Sequence, residues 1–279
     1  MRLYEKQGFW SFFNPLELVR IITRNWSLVR QLSWRQVDAP HRGSMLGFGW
    51  SFINPLLTFG VYAFVFIAVF KGRYGVVESE TNVDYALGLL LGLTMLQLFQ
   101  EVLLTAPYAV LQSPNYVKKV VFPLEILPVT ILGAALIRFS ICLALVLVSV
   151  AVFGPGLHVT AWWLVPITFC VALLAVGVGW FLAAVGVFLR DIAPLTQALS
   201  LLLMFMSGVF YSLKQIPKEF HFLQYNPILI VVESTRDAIL WARVPDLGWL
   251  SYLAGASCLV AIAGFGCFRA LRGAFSEVL

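Results

Sequence analysis

Residues 126–150 read ILPVTILGAALIRFSICLALVLVSV, an apolar run broken by a single charge, Arg138. At about 1.5 Å per residue a helix of this length exceeds the roughly 30 Å of hydrocarbon in a bilayer. Five more apolar segments surround it, near 47–70, 85–106, 162–188, 194–212 and 249–270. Across all 279 residues, 60% are hydrophobic and only 12% are charged, about half the roughly 25% charge of a soluble domain. That leaves too little charge to solvate a globule, so lipid must be the main solvent. The pattern predicts an all-α membrane protein with six transmembrane helices. Pro55 and Pro128 fall inside spans, where neighbouring helices can satisfy the carbonyls they free. Pro194 opens the fifth span just after a polar Arg190-Asp191 turn.

Outside the spans, residues 15–37 are strongly amphipathic. Leu18, Val19, Ile21, Ile22, Trp26, Val29 and Leu32 share one side of a helical wheel, and Arg20, Arg24, Arg30 and Arg35 share the other. A basic helix with a Trp on its apolar face lies in a membrane interface rather than crossing it. Segments 1–46, 107–125, 189–193 and 269–279 hold twelve Lys/Arg, and the intervening connections 71–84, 151–161 and 213–248 hold six. The positive-inside bias therefore predicts that both termini are cytoplasmic. It divides the chain into a cytoplasmic N-terminus (1–46), a transmembrane domain (47–270) and a cytoplasmic tail (271–279). The stretch 213–248 is too polar to span and too apolar for a free loop. Two short re-entrant helices at the outer face, with Pro227 between them, fit it best.

Several chemistries are excluded. The net charge of +5 comes from basic residues scattered among the connections, as topology requires, and does not form a nucleic-acid surface. With seven Lys/Arg and no long apolar core in the first 46 residues, no cleavable signal peptide is expected. Cys142, Cys170, Cys258 and Cys267 lie in or beside apolar segments without CxxC spacing, and His41, His158 and His221 fall in three separate connections, so no metal site is expected. None of the six lysines is followed by Ser or Thr, so the chain has no phosphate-cradling GxxxxGK[ST] loop. Glu101 and Arg138 are the two charges well inside spans. A charge there costs about 2.5–3.5 kcal/mol or more, so Arg138 must pair, with Glu101 as one partner, or else meet an anionic substrate group. Energy for any transport must come from another subunit.

Local patterns resemble the membrane subunits of ABC-2 type exporters, in the branch that moves O-antigen, capsule and teichoic-acid polymers. They are Trp34-Arg35, Arg42-Gly43-Ser44-Met45-Leu46-Gly47, Trp50 and Asn54-Pro55-Leu56 before and within the first span. Lys118-Lys119 through Phe122-Pro123 to Glu125-Ile126-Leu127-Pro128 precede the third span. Arg190-Asp191, Ile216-Pro217, Asn226-Pro227 and Arg236 follow in the family's order. Asp38-Ala39-Pro40, Leu124 and Gly208 depart from the usual residues. The resemblance implies a permease that is not itself an enzyme, without a cofactor of its own. It implies a homodimer in the bacterial inner membrane with two copies of a cytoplasmic ATPase that carry ATP and Mg. The cargo implied is a lipid-diphosphate-linked polysaccharide.

In that frame Ser113, Asn115, Tyr116, Lys118 and Lys119 form an ATPase-coupling helix beside the interfacial helix with Arg20, Arg24, Trp26 and Arg35. Ile216, Pro217, Asn226, Pro227 and Arg236 belong to an outer gate. Phe48, Phe52, Phe59, Tyr62, Phe66 and Phe70 form an aromatic stripe along the first span, either packing or lining a sugar path with Arg138. Trp50 and Phe64 lie off the stripe. Two alternatives stand beside this reading. One is another ABC-2 cargo, such as a capsule or teichoic-acid polymer, a lipid or a drug, against which the 15% aromatic content favours sugar. The other is a polyprenyl-phosphate enzyme, for which Glu78, Glu80 and Asp84 are the nearest carboxylate cluster.

Overall fold

The computed structural model describes residues 15–41, 43–66, 72–78, 80–114, 116, 122–189 and 191–278. Among them every regular element is helical. The α-helices are α1 (Pro15–Arg24), α2 (Trp26–Asp38), α3 (Trp50–Ala63), α4 (Asn82–Thr105), α5 (Ile126–Phe153), α6 (Leu164–Phe188), α7 (Ile192–Met206), α8 (Pro227–Ile239), α9 (Leu247–Leu271) and the single turn α10 (Phe275–Val278).

Position in the bundle follows from how far the apolar surface wraps each helix. Helix α4 is apolar all round and sits at the centre, with 72% of its span buried and Leu89, Leu91, Met95, Leu96, Leu98 and Val102 in the core. Its start is set by a capping box: the Asp84 amide donates to Thr81 Oγ1 (3.2 Å) and the Thr81 amide to Asp84 Oδ2 (2.9 Å). Helix α3 is the opposite case, with 6% of its span buried. Helices α6 and α9 pack closest. A Cβ on Gly264 would collide with the Gly177 carbonyl, and one on Gly177 would lie 2.6 Å from the Ala261 amide nitrogen. Small residues that let two backbones touch are the usual solution where lipid supplies no hydrophobic drive between helices.

Among the described residues five helical segments, not six, are long and apolar enough to cross a membrane: 47–66, 82–108, 126–153, 159–188 and 247–278. The expected fifth span, 194–212, is instead the 15-residue helix α7, about 22 Å long and short of a full crossing. It stops at Met206 because Gly208 adopts a left-handed φ of 66°, a conformation that ends helices. The chain then turns back. Of the two expected short helices, the first is an exposed 3-10 segment, Lys218–Tyr225, and the second is α8, buried along most of its length. Asn226 separates them: its Oδ1 accepts from the Ile228 amide (3.0 Å) and Pro227 takes the first helical position.

The amphipathic stretch also differs in detail. It breaks at Asn25 into α1 and α2, and the Asn25 side-chain Nδ2 donates to Ile21 O at 2.8 Å. Val29, Ser33 and Val37 of α2 are buried against α5, where Ser33 Oγ donates to Thr130 O (3.0 Å). Val19 and Trp26 stay exposed. At the other end of the sequence, Arg269 of α9 pairs with Glu17 of α1, so the two ends of the described chain meet on one face.

Candidate transport path and its polar anchors

The aromatic stripe of α3 divides in two. Phe48 and Phe52 are exposed, in edge contact with each other (5.8 Å) and with Trp34 of α2 stacked on Phe48 (5.8 Å). Phe59, Tyr62 and Phe66 pack on the core; Tyr62 stacks on Phe66, which meets Tyr85 of α4 and Phe210. Phe64 points away and is 67% exposed. Phe70 lies outside the described residues.

Arg138 and Glu101 find each other. Arg138 Nε donates to Glu101 Oε1 at 2.9 Å, Nη2 reaches the same oxygen, and Nη1 approaches Gln36 O at 3.4 Å. The pair joins α5, α4 and α2 beside a void of about 10 Å³, the size of one water. Arg138 is therefore a cross-tie of the bundle in this structure.

Arg236 has a comparable role at the opposite end. It is 2% exposed, lies 4.0 Å from the Tyr74 ring, and donates to Gly88 O (3.2 Å), Gly208 O (2.6 Å), Val209 O (2.7 Å) and Tyr211 O (3.3 Å). Tyr74 also donates to Val209 O and Tyr85 to Phe210 O, both at 2.9 Å. Asn226 Nδ2 takes Met206 O at 3.0 Å. Side chains thus satisfy the carbonyls that a helix end would otherwise leave open in a low-dielectric setting. Ile216 is buried and Pro217 exposed at the start of the 3-10 segment.

Arg35 shares an open groove of about 450 Å³ with Gln36, Ser113 and Tyr116, so α2 and the 109–114 turn do come together. Tyr116 stacks on Phe122 at 4.4 Å. Asn115, Lys118 and Lys119 lie outside the described residues. Arg20 and Arg24 line a second open groove of about 600 Å³ with Glu17, Glu125 and Arg272. Sequence reasoning treated Glu125 as part of a motif without a partner. It is 4% exposed, pairs with Arg272 at 2.5 Å, and its carbonyl accepts from Trp180 Nε1 (2.8 Å). A partner so distant in sequence leaves no local signal.

Two of the three carboxylates in the cluster that an enzymatic reading points to have structural roles. Glu80 binds the backbone amides of Tyr74 (2.6 Å) and Gly75 (2.8 Å), and Asp84 serves the α4 cap.

The ABC-2 type transporter family model matches residues 27–240. The chain belongs to the ABC-2 type transporter family. This permease is 28% identical over 270 residues to the O-antigen export system permease protein RfbA of Myxococcus xanthus, covering 94% of this chain and 99% of that one. It is 24% identical to the O-antigen export system permease protein RfbA of Klebsiella pneumoniae, covering 88% and 92%. The permease is accordingly a multi-pass membrane transport subunit rather than a catalyst, and a permease of this kind works with an ATPase.

Proposed function

We propose that this permease forms the membrane half of an ATP-driven exporter of lipid-linked, O-antigen-like polysaccharide. Two copies would work with two cytoplasmic ATPase subunits that carry ATP and Mg. The near end-to-end similarity to permeases named for O-antigen export carries this reading. Capsule or teichoic-acid polymers are the nearest alternative cargoes.

Helix α3 supports a dimer, because its span is almost unburied by its own chain and a second copy is the natural cover. Phe48 and Phe52 on the open half of the stripe offer flat apolar faces to sugar rings. Stacking grips each ring weakly and tolerates changes of sugar, as stacking platforms tolerate any base. The grooves at Arg20 and Arg24 and at Arg35, Ser113 and Tyr116 lie on the face where the two ends of the described chain meet. In this reading that face meets the ATPase, in keeping with the positive-inside bias that places it in the cytoplasm. Turns around Asn226 and Pro227 would open and close the far mouth.

The test is ATPase activity of the permease–ATPase complex in nanodiscs, titrated with lipid-diphosphate-linked glycans and, separately, with drugs and phospholipids. Stimulation by the glycan alone is expected, together with glycan transfer into proteoliposomes that falls in Phe52→Ala and not in Phe64→Ala. Stimulation by drugs or phospholipids without glycan would overturn the cargo. Equal behaviour of the two variants would return the stripe to packing.

A further inference from the structure

At the end of the bundle opposite the termini, a cavity of about 220 Å³ opens between α8, the start of α9 and the 212–214 turn. It is smaller than the roughly 300–1,000 Å³ of pockets for drug-sized ligands, so it has room for one ring rather than a chain. One wall is a stripe of α8 in which Ile230, Glu233, Ser234 and Asp237 recur at helical spacing. Trp249 and Gln224 face it, and Lys214 and Arg243 stand at its rim.

Two side chains on that wall make no hydrogen bond to the described residues. Ser234 is 6% exposed overall, and its hydroxyl opens on the cavity without a hydrogen bond to the described residues. Buried helical hydroxyls elsewhere in this chain make one: Thr94 donates to Leu90 O and Thr235 to Val231 O, both at 2.8 Å. The Asp237 carboxylate likewise receives no hydrogen bond from the described residues, and burial with Glu233 nearby pushes its acid up to about 6. Glu233 is held in place by the Leu213 amide (2.9 Å), and Asp246 is occupied as the cap of α9.

The charge pattern selects the ligand. A metal cation would meet Lys214 and Arg243 at close quarters, and an anion would meet Glu233, Asp237 and Asp246. What remains is a neutral molecule that donates to carboxylates, accepts from Ser234, Gln224 and the two bases, and lays a flat apolar face on an indole. That describes a pyranose ring. We propose that this cavity is a sugar-binding subsite that takes one ring of the exported glycan at the far mouth of the permease. The proposal rests on the glycan reading above and adds to it a site, a stoichiometry of one ring per chain, and the residues that hold it.

Ligand-observed NMR on the permease–ATPase complex in nanodiscs tests it, with glucose, galactose, mannose, rhamnose and N-acetylglucosamine as probes. Saturable binding of at least one sugar is expected. It should weaken tenfold or more in Trp249→Ala and in Asp237→Asn, stay close to wild type in Trp249→Phe, which keeps a stacking face, and be unaffected in Phe64→Ala. If no probe binds saturably, or if Trp249→Ala and Asp237→Asn bind like wild type, the subsite is refuted. The same outcome with glycan-stimulated ATPase activity intact would overturn the subsite alone. Loss of both would take the cargo reading with it. Displacement of bound sugar by calcium would mark the cavity as a cation site and also refute the proposal.

Discussion

Removing one partner of the Arg138–Glu101 pair should hurt more than removing both. Arg138→Met leaves the Glu101 carboxylate without its guanidinium between α4 and α5, and Glu101→Leu strands the guanidinium. An uncompensated charge at mid-span costs about 2.5–3.5 kcal/mol, and breaking a buried pair about 3–5 kcal/mol. The side chains of Arg138 and Glu101 retain 33% and 19% of their exposure, so solvent screening discounts the cost to about 2 kcal/mol for each single variant. At roughly 2–4 °C per kcal/mol, each single variant should melt about 4–8 °C below wild type in detergent. The double variant restores an apolar contact and should recover most of that loss, giving a coupling energy of about 3 kcal/mol or more. Thermal melts of the four proteins, followed by intrinsic fluorescence, measure it. Additive losses, or a Glu101→Leu variant as stable as wild type, would refute the cross-tie. Glycan transfer by the double variant separates the roles. Near-normal transfer leaves Arg138 structural, whereas lost transfer in a stable protein makes it a substrate contact.

Other outcomes follow from the same structure. Arg236→Met should orphan the buried Gly208 carbonyl, take a charged donor from those of Gly88 and Val209, and lower stability by about 3 kcal/mol, with Arg236→Lys recovering part of the loss in the same melts. Gly264→Ala should separate α6 from α9 and reduce the yield of folded protein on size exclusion, whereas Gly255→Ala, with open space around its Cβ position, should not. Asp237 is acidic only above about 6 in the folded protein, against an ordinary value of 3.8, so its charged form weakens the fold. Glu233 reinforces that shift and Arg243, Lys214 and Arg236 oppose it, with Asp246 also lining the cavity. The fold binds this proton more tightly than the unfolded chain does, so the Asp237 contribution improves as pH falls through 6 toward 4 and is lost as pH rises through 6. Asp237→Asn should melt above wild type at pH 7.5 and converge with it near pH 4.5, and a gap independent of pH would contradict the assignment.

Segments whose fate depends on transfer into lipid were legible residue by residue. The expected 126–150 and 249–270 are α5 and α9 to within a turn, because apolar length alone decides where such helices sit. The Arg138–Glu101 contact was legible for a related reason, since two charges inside spans must find partners. What stayed hidden depends on a single backbone angle or a distant partner. The end of α7 rests on the left-handed Gly208 and on carbonyl acceptors claimed from α8, and no local hydropathy reports either. Asn25 divides the amphipathic helix by a side-chain bond to Ile21, invisible to a periodicity that continues through it. The Ser234–Asp237–Trp249 cavity exists only because the start of α9 folds back onto α8, so its members carry no shared motif.

The dependence of Gly208 on Arg236 also bears on biosynthesis. The carbonyl is made 28 residues before the guanidinium that caps it. While Arg236 is still inside the ribosomal exit tunnel after α7 has left it, α7 is a short apolar helix with an open end in or near lipid. It has no stable resting place until α8 follows. Helices α7 and α8 should therefore enter the membrane as one hairpin, and nascent chains arrested with Phe205 outside the ribosome and Arg236 still in its tunnel should stay cross-linkable to the insertion machinery from Phe205. Chains in which Arg236 has left the tunnel should be released.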